Sequence, residues 1–284
     1  MTSLATRATP LIPPGWAGVA TCALGEVQPS GPWRPPYHVL LLATAGHGAV
    51  EVDFEHHTCR PGTLLWIRPG QELRIGANGL SASVVTFDTR LAGDHWPERP
   101  ETPGRWQLEG EDEDAVISEF AQLAVDCERH RSGPVAADLL RHQLAVLLLR
   151  IALLTPAPGA LGAEGRTFAR FRRRLESGHP RSRRVEDYAE EMGCSVRTLT
   201  RASLAVTGRT AKQVVDDRVA LEARRLLACT SMSVAEVGRH LGFPEPTNFG
   251  RFFHREVGVS PGQFRADMAA NGRGGIPGQR RPAD

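Results

Sequence analysis

Residues 233–265 read SVAEVGRHLGFPEPTNFGRFFHREVGVSPGQFR, and the spacing of their apolar side chains indicates two short helices. The apolar residues, which recur at intervals of three and four, are Val234, Val237, Leu241, Phe249, Phe252, Phe253 and Val257. Ser233 and Glu236 have the spacing of a capping box that begins a helix, and Gly242 interrupts the apolar pattern. The stretch therefore predicts a helix-turn-helix, whose second helix enters the major groove of DNA.

A second helix-turn-helix is predicted upstream, in residues 185–206. Residues 185–192 are apolar at helical spacing, Gly193 ends this helix, and Ser195 can cap the next one. Between the two motifs, residues 211–228 predict a helix of roughly 27 Å, at about 1.5 Å per residue. Its apolar stripe consists of Val215, Val219, Ala223, Leu226 and Leu227. One turn of DNA measures about 34 Å, so such a spacer can present two recognition helices to successive major grooves on one side of a duplex.

Residues 185–268 resemble the DNA-binding domain of AraC-type transcriptional regulators. The motifs that carry the resemblance are LEARRLL at 221–227, SVAEV at 233–237, GF at 242–243, NFGRFF at 248–253, GVSP at 258–261 and FR at 264–265. The resembling segment covers 84 of the 284 residues, and its motifs keep fixed offsets from 221 to 265, which makes the match far more specific than a lone helix-turn-helix pattern. Two departures are Gly238, where the family usually has alanine, and the residues after Arg201, which lack the usual aromatic side chain.

The resemblance implies which side chains face DNA. They are Arg197, Thr200 and Arg201 in the first recognition helix, and Thr247, Asn248 and Arg251 in the second. Arginine pairs with guanine, asparagine pairs with adenine, and threonine offers a hydroxyl or a methyl group. Other roles stay open at this point. Arg201 and Arg251 can contact phosphates alone, Thr247 can cap its helix, and Asn248 can hydrogen-bond locally.

Residues 37–87 predict a small β-barrel or jelly roll. Short β-branched and aromatic runs at 37–44, 48–54, 63–68 and 83–87 are separated by turns rich in glycine and proline. The segments PGT at 61–63 and RPGQ at 68–71 resemble the cupin-like sensor domain that precedes the DNA-binding domain in many AraC-type proteins. The resemblance implies a site for a small-molecule effector of unknown identity.

We expect the effector pocket to draw on Tyr37, His38, Trp66 and Arg68, with core packing as the alternative role for Trp66. A cupin-type metal enzyme is the competing interpretation, because four histidines lie in the barrel. However, no histidine pair is followed by a suitably placed glutamate, and Leu73 stands where a ligand histidine is expected. The sequence therefore predicts no metal, no cofactor and no catalytic residues.

An acidic run at 111–114 begins a predicted helix, and a second helix follows the turn at 132–134. The second helix carries a heptad seam formed by Leu140, Leu144, Leu147 and Ile151. Leu139, Val146 and Leu153 form another apolar stripe, so the helix requires two neighbours. We expect the seam to mediate homodimerisation, with packing inside one chain as the alternative.

The length and charge of the chain favour two domains with different partners. Residues 165–284 hold 22 Lys and Arg against 13 Asp and Glu, a net charge of +9, whereas residues 1–164 hold 12 against 19, a net charge of −7. The basic half is the half with both helix-turn-helix motifs, as expected for a protein that neutralises DNA phosphates. The expected segments are an arm and barrel (1–108), a helical dimerisation segment (109–155), a linker (156–166), a DNA-binding domain (167–270) and a disordered tail (271–284).

These observations predict an α+β protein with an N-terminal cupin-like β-barrel, a helical hairpin and an all-α domain with two helix-turn-helix motifs. Its expected function is that of a dimeric, effector-controlled transcriptional regulator that binds double-stranded DNA and contacts RNA polymerase. The alternative is a regulator whose N-terminal domain only dimerises or binds a protein. Five scattered cysteines, no signal peptide and no membrane-length apolar run favour the cytoplasm.

Overall fold

The computed structural model describes residues 15–26, 32–76, 79–92, 104–154, 162–179 and 182–271. These residues form two compact units, one ending at Leu154 and the other running from Gly162 to Ala270. The first 14 residues of the predicted arm, most of the predicted linker and the predicted tail from residue 272 lie outside the described ranges.

The N-terminal unit contains two antiparallel sheets. One sheet has the strand order β1-β7-β2-β5-β8, and the other has the order β4-β3-β6. The strands are β1 (Val19–Ala23), β2 (His38–Ala45), β3 (Gly48–Val52), β4 (Glu55–Cys59), β5 (Thr63–Ile67), β6 (Leu73–Ile75), β7 (Ser81–Phe87) and β8 (Arg105–Gln107). The prediction of a sheet-rich, cupin-like N-terminal domain is confirmed.

The five-stranded sheet is buried on both faces because alternate residues face two different apolar cores. On β2, Val39 and Leu41 face the core between the sheets, and Leu40 and Leu42 face the opposite core. The opposite core is covered by two helices, α1 (Glu111–Arg129) and α2 (Pro134–Leu154). The helical hairpin therefore belongs to the fold of this unit.

The heptad seam of α2 is buried within a single chain, so its assignment to dimerisation is wrong. Leu140, Leu144, Leu147 and Ile151 are each at most 1% exposed, because they pack on the five-stranded sheet and on α1. A side chain that is already excluded from solvent has no surface to offer a second subunit. The other apolar face of the helix remains exposed instead, at Val135, Leu139, Val146, Leu149 and Leu153.

The hairpin that joins β3 to β4 turns at Asp53 and Phe54, whose φ angles are +52° and +68°. Positive φ at both central residues is typical of the tight turn whose twist matches that of paired strands. The Asp53 carboxylate accepts hydrogen bonds from Gln71 Nε2 at 2.6 Å and from the Glu72 amide at 2.9 Å. This turn therefore fixes the start of the neighbouring strand β6.

The C-terminal unit is helical in its described residues and has the two predicted helix-turn-helix motifs. Its helices are α3 (Ala163–Gly178), α4 (Val185–Glu191), α5 (Val196–Thr207), α6 (Ala211–Cys229), α7 (Val234–His240), α8 (Pro246–Val257) and α9 (Pro261–Asn271). Helix α3 begins four residues before the predicted position 167, and the Thr167 hydroxyl donates to the Ala163 carbonyl in its first turn. The pairs α4–α5 and α7–α8 are the two motifs, and α6 lies between them in the chain.

Helix α6 buries charged as well as apolar side chains. Its predicted apolar stripe is buried, and so are Arg218, Glu222 and Arg225. Glu222 Oε2 lies 3.2 Å from Arg218 Nη1 and 3.3 Å from Arg225 Nη1. His179 Nε2 lies 3.9 Å from the same oxygen, and burial together with the charge of Arg218 lowers the pKa of His179. The LEARRLL motif thus supplies a buried ion cluster as well as a core.

Candidate nucleic-acid interface

The first recognition helix, α5, exposes the predicted DNA-reading side chains because its other face is fixed in the core. Ser195 caps the helix by accepting a hydrogen bond from the Thr198 amide, and Leu199 is completely buried. Arg197 and Arg201 are exposed on the surface, and Thr200 is partly exposed.

The second recognition helix, α8, is held by an aromatic core. Phe249 and Phe253 are completely buried and Phe252 is 7% exposed, so their prediction as core residues is confirmed. Burying each phenylalanine contributes about 1.5–3 kcal/mol to stability. The opposite face exposes Thr247, Asn248 and Arg251.

The capping alternative for Thr247 does not hold. The N-cap position is Glu245, which makes no side-chain capping bond, and Pro246 occupies the first turn. Proline suits this position because it has no amide hydrogen to leave unsatisfied. Thr247 is therefore inside the helix and exposed, as a reading residue requires.

Gly238 of α7 lies against α8. A Cβ atom added at Gly238 would lie 3.0 Å from Phe249 Cβ and 3.1 Å from its Cγ. The departure from the alanine that the family usually has therefore corresponds to a close approach between α7 and the second recognition helix.

Each recognition helix borders a surface groove, and the two grooves meet. The groove beside α5 has a volume of about 430 Å³ and is lined by Val196 and Thr200 among others. The groove beside α8 has a volume of about 480 Å³ and is lined by Asn248 and Arg251 among others. Arg183 and Lys212 line both grooves. The two recognition helices therefore border neighbouring parts of one surface.

Several cations at this surface are absent from the residues inferred by resemblance. They are Arg183, Arg184, Lys212 and Arg255. Lys212 is the single lysine in the whole chain, and this is the one sequence feature that could have drawn attention to it. Lys212 pairs with Asp216, whose other carboxylate oxygen lies 3.4 Å from Arg255 Nη2. Asp216 thus links the start of α6 to α8.

Arg201 has a partner within its own unit. Its Nε lies 3.5 Å from Glu164 Oε1, and the two side chains are 69% and 40% exposed. An ion pair this exposed contributes about 0–1 kcal/mol. A phosphate or a guanine can therefore replace Glu164 at little energetic cost.

The four residues predicted to form an effector pocket do not share one site. Tyr37 lies in the core between the sheets, where its ring meets Trp33 edge-on and burial raises its pKa to about 12. Trp66 is buried in the opposite core, beneath the helices. Tyr37 immediately precedes β2, and the His38 ring contacts Trp66 and Phe87 of the opposite core, so Tyr37 and His38 lie on opposite sides of the five-stranded sheet.

His38 is a packed, neutral histidine. Its ring stacks on Phe87 at 4.8 Å, and its Nδ1 accepts a hydrogen bond of 3.0 Å from Trp66 Nε1. Because indole nitrogen only donates, the proton of the neutral imidazole is on Nε2. Burial, followed by the charge of Arg68, lowers the pKa of His38 to about 4. His38 and Trp66 thus form a contact in the core, and Arg68 acts on His38 through its charge.

A buried carboxyl group lies at the edge of the three-stranded sheet. Glu72 is completely buried, and burial, followed by the charge of Glu51, raises its pKa to about 8. Arg74 Nε lies 4.0 Å away and lowers the pKa by a smaller amount. Glu72 therefore holds its proton through most of the neutral range.

The described residues contain neither a metal site nor a membrane span. Within those ranges, no group of three histidine, cysteine, aspartate or glutamate side chains is placed to hold a metal ion. No described helix is both long and apolar enough to cross a bilayer. All five cysteines are described, and they form no disulfide with one another.

The fold and the interface define a protein with two helix-turn-helix motifs in one helical unit and a sheet-rich unit before it. Comparison with known families agrees. Residues 188–267 match the helix-turn-helix domain model, and residues 30–145 match the AraC-like ligand binding domain model. The chain belongs to the AraC-type transcriptional regulators.

Individual relatives are similar over different lengths. The HTH-type transcriptional activator RhaR of Enterobacter sp. (strain 638) is 28% identical over 185 residues, which is 65% of this chain and 62%, less than two thirds, of that protein. The MmsAB operon regulatory protein of Pseudomonas aeruginosa is 29% identical over 255 residues, 85% of this chain and 79% of that protein. A crystal structure of ToxT from Vibrio cholerae covers 88% of this chain and 98% of its own, with 12% identity and a TM-score of 0.46.

Proposed function

We propose that this protein is a sequence-specific regulator of transcription that binds double-stranded DNA through α5 and α8. The observation that carries the proposal is the pair of grooves beside these helices, which share Arg183 and Lys212. Because the grooves adjoin, one duplex can contact both helices. Helix α6 has 19 residues, or about 28 Å at 1.5 Å per residue, close to the 34 Å between successive major grooves.

The exposed side chains suit base reading. Arg197 and Arg251 can donate two hydrogen bonds to a guanine, and Asn248 can pair with an adenine. The surrounding cations neutralise phosphates, a contribution that does not depend on sequence and falls with salt. The net charge of +9 in residues 165–284 supports this division of roles.

Selection of binding sites from random DNA by the full-length protein tests the proposal. We expect a preferred sequence with two motifs about one helical turn apart. Arg251→Ala should weaken binding to that sequence by about 5- to 150-fold and relax preference at one base position. Arg173→Ala removes the same charge from an exposed position that lines neither groove, and it should have little effect. Failure to enrich any sequence overturns the proposal, and an equal loss on all DNA makes Arg251 a phosphate contact.

The single lysine offers a local probe of the same surface. Reductive methylation with ¹³C-formaldehyde labels Lys212 and the chain's amino terminus, and it keeps the charge of the amine. Because Lys212 lines both grooves, its methyl signal should shift when the selected DNA is added. An unchanged signal at saturating DNA would place the duplex elsewhere.

The proposal includes homodimerisation through the exposed stripe of α2. The residues of this stripe lie on one face of the helix. They are Val135, Leu139, Val146, Leu149 and Leu153. Leu153 is 85% exposed, so Leu153→Glu should leave the fold intact but shift the protein to monomer in analytical ultracentrifugation at micromolar concentration. Ala145→Glu, at another exposed position of α2, is the matched control. A wild-type monomer at that concentration contradicts this part of the proposal.

The proposal also includes a small-molecule effector bound by the N-terminal unit, an action in the cytoplasm and a contact with RNA polymerase. All five tryptophans lie at or before residue 106, so tryptophan fluorescence reports on the N-terminal unit. Thermal unfolding followed by this signal, with a panel of sugars, amino acids and aliphatic acids, should show stabilisation by at least one class. A uniform absence of stabilisation favours the second candidate, a regulator whose N-terminal unit only dimerises or binds a protein.

A further inference from the structure

Arg183 connects the two helix-turn-helix motifs directly. It precedes α4, the first helix of the first motif, by two residues. Its Nη2 donates a hydrogen bond of 2.8 Å to the carbonyl of Gly242, which is 59 residues further along the chain. Gly242 lies in the turn between α7 and α8 and has a φ of +76°, so its own conformation is one that glycine favours.

The same guanidinium covers an aromatic ring of the second motif. Its Cζ lies 3.7 Å from the centroid of Phe243. Phe243 in turn contacts Phe249 and Phe252 of α8, at ring-centroid distances of 5.4 Å and 5.0 Å. Arg183 therefore packs against the aromatic cluster that orients the second recognition helix.

A second path between the two motifs runs through α6. On that path, Asp216 of α6 binds Lys212 of the same helix and Arg255 of α8. Arg183 contacts the turn of the second motif directly from the segment before α4, and the charge of Asp216 also acts on its guanidinium. The contact of Arg183 with Gly242 and Phe243 is thus a second restraint on the angle between the two recognition helices.

The two bonds of Arg183 require a planar guanidinium. A plane can lie over the Phe243 ring while an in-plane N–H donates to Gly242, whereas the ammonium of lysine is a point charge that cannot do both well. Lysine keeps the positive charge, so it keeps any attraction for a DNA phosphate. Arg183→Lys consequently separates the geometric role of the side chain from its electrostatic one.

We infer that Arg183 is a positioning residue, which ties the first helix-turn-helix to the turn of the second and so sets the spacing of the two DNA motifs that the protein accepts. The inference rests on the proposed DNA-binding function. Arg183 acts on base reading through Phe243 and α8, and not by touching a base.

The test compares four DNA duplexes with the full-length protein: the selected site, the same site with one base pair inserted between its motifs, and each motif alone. Arg183→Lys should weaken binding to the selected site about 5- to 10-fold. It should leave single-motif affinity within about twofold and reduce the penalty for the inserted base pair. Phe243→Leu removes the ring and should relax the spacing in the same way.

Arg184→Ala is the matched control. Arg184 is exposed, lines the groove beside α5 and pairs loosely with Glu186 at 3.7 Å. Its loss should weaken binding by a similar factor to every duplex that contains the motif read by α5. The inference is overturned if Arg183→Lys keeps the wild-type spacing preference, or if its losses are as uniform as those of Arg184→Ala.

A measurement without DNA separates this inference from the proposed function. Residual dipolar couplings of amides in α5 and α8 should fit one alignment tensor in the wild type and require two in Arg183→Lys. A single tensor for the variant overturns the inference even if the protein binds DNA. Wild-type protein that enriches no DNA sequence overturns the proposed function, and the couplings still decide whether Arg183 fixes the two motifs.

Discussion

Replacing Glu222 by glutamine removes the negative charge at the centre of the buried cluster in α6. The side chains of Arg218, Glu222 and Arg225 are 9%, 10% and 8% exposed, so solvent screens their charges poorly. Glutamine has nearly the same volume and still offers one acceptor oxygen. The variant therefore tests the buried charge with little change in packing.

The expected loss follows from what remains around the arginines. Removing one partner of a buried ion pair costs about 3–5 kcal/mol, because the other charge is left uncompensated. Arg218 keeps a second partner, Glu176, whose Oε2 lies 2.8 Å from its Nε, and the amide of the variant keeps one acceptor. We therefore expect the low end, about 3 kcal/mol. For a helical unit of this size, that loss lowers the unfolding temperature by roughly 12 °C.

Thermal unfolding of the full-length protein, followed by far-ultraviolet circular dichroism, measures this loss. Tryptophan fluorescence provides an internal reference, since every tryptophan is in the N-terminal half, and that transition should not move. Glu186→Gln removes an exposed carboxylate, 60% exposed beside Arg184, and should cost less than about 0.5 kcal/mol. If Glu222→Gln unfolds with the same midpoint as Glu186→Gln, the charge of Glu222 does not stabilise the helical unit.

Three further outcomes are expected. Folding raises the pKa of Glu72 from its ordinary value of 4.5 to about 8, so between these pH values the folded state binds more protons than the unfolded state. The stability of the N-terminal unit should therefore fall by roughly 3 kcal/mol from pH 5 to pH 8. Glu72→Gln should flatten this dependence in urea titrations followed by tryptophan fluorescence. Gly258→Ala should destabilise the helical unit by about 1 kcal/mol, because the φ angle of Gly258 is +86°. Gly250→Ala lies within α8 and is equally free of close neighbours, and it should stabilise the unit by about 0.5–1 kcal/mol. Equal effects in calorimetry would show that backbone conformation does not decide whether alanine stabilises or destabilises the unit. Ser233→Ala removes the capping box of α7 and should cost about 1 kcal/mol by the same measurement, and no change would mean that solvent satisfies the helix end equally well.

The local pattern of the sequence determined both helix-turn-helix motifs. Capping residues, glycine breaks and apolar spacing depend only on neighbours within a few positions, so the helices at 185–207 and 211–257 were readable without any partner. The same holds for the assignment of Phe249 and Phe253 to the core, and for the exposure of Arg251 on the opposite face of α8. Strand alternation likewise gave the sheet-rich nature of the first unit.

Only the tertiary structure decided which partner each face meets. Periodicity showed that α2 has two apolar faces, one with Leu140 and the other with Leu153. Which of these faces is exposed depended on the position of the five-stranded sheet. Tyr37 and His38 are adjacent in sequence and separated by that sheet, so proximity in the chain suggested a shared pocket that the fold does not form. Arg183 meets Gly242 across 59 residues, and no local pattern encodes such a pair. A short-range pattern fixes the face of an element, whereas its neighbour is set by long-range packing of the whole chain.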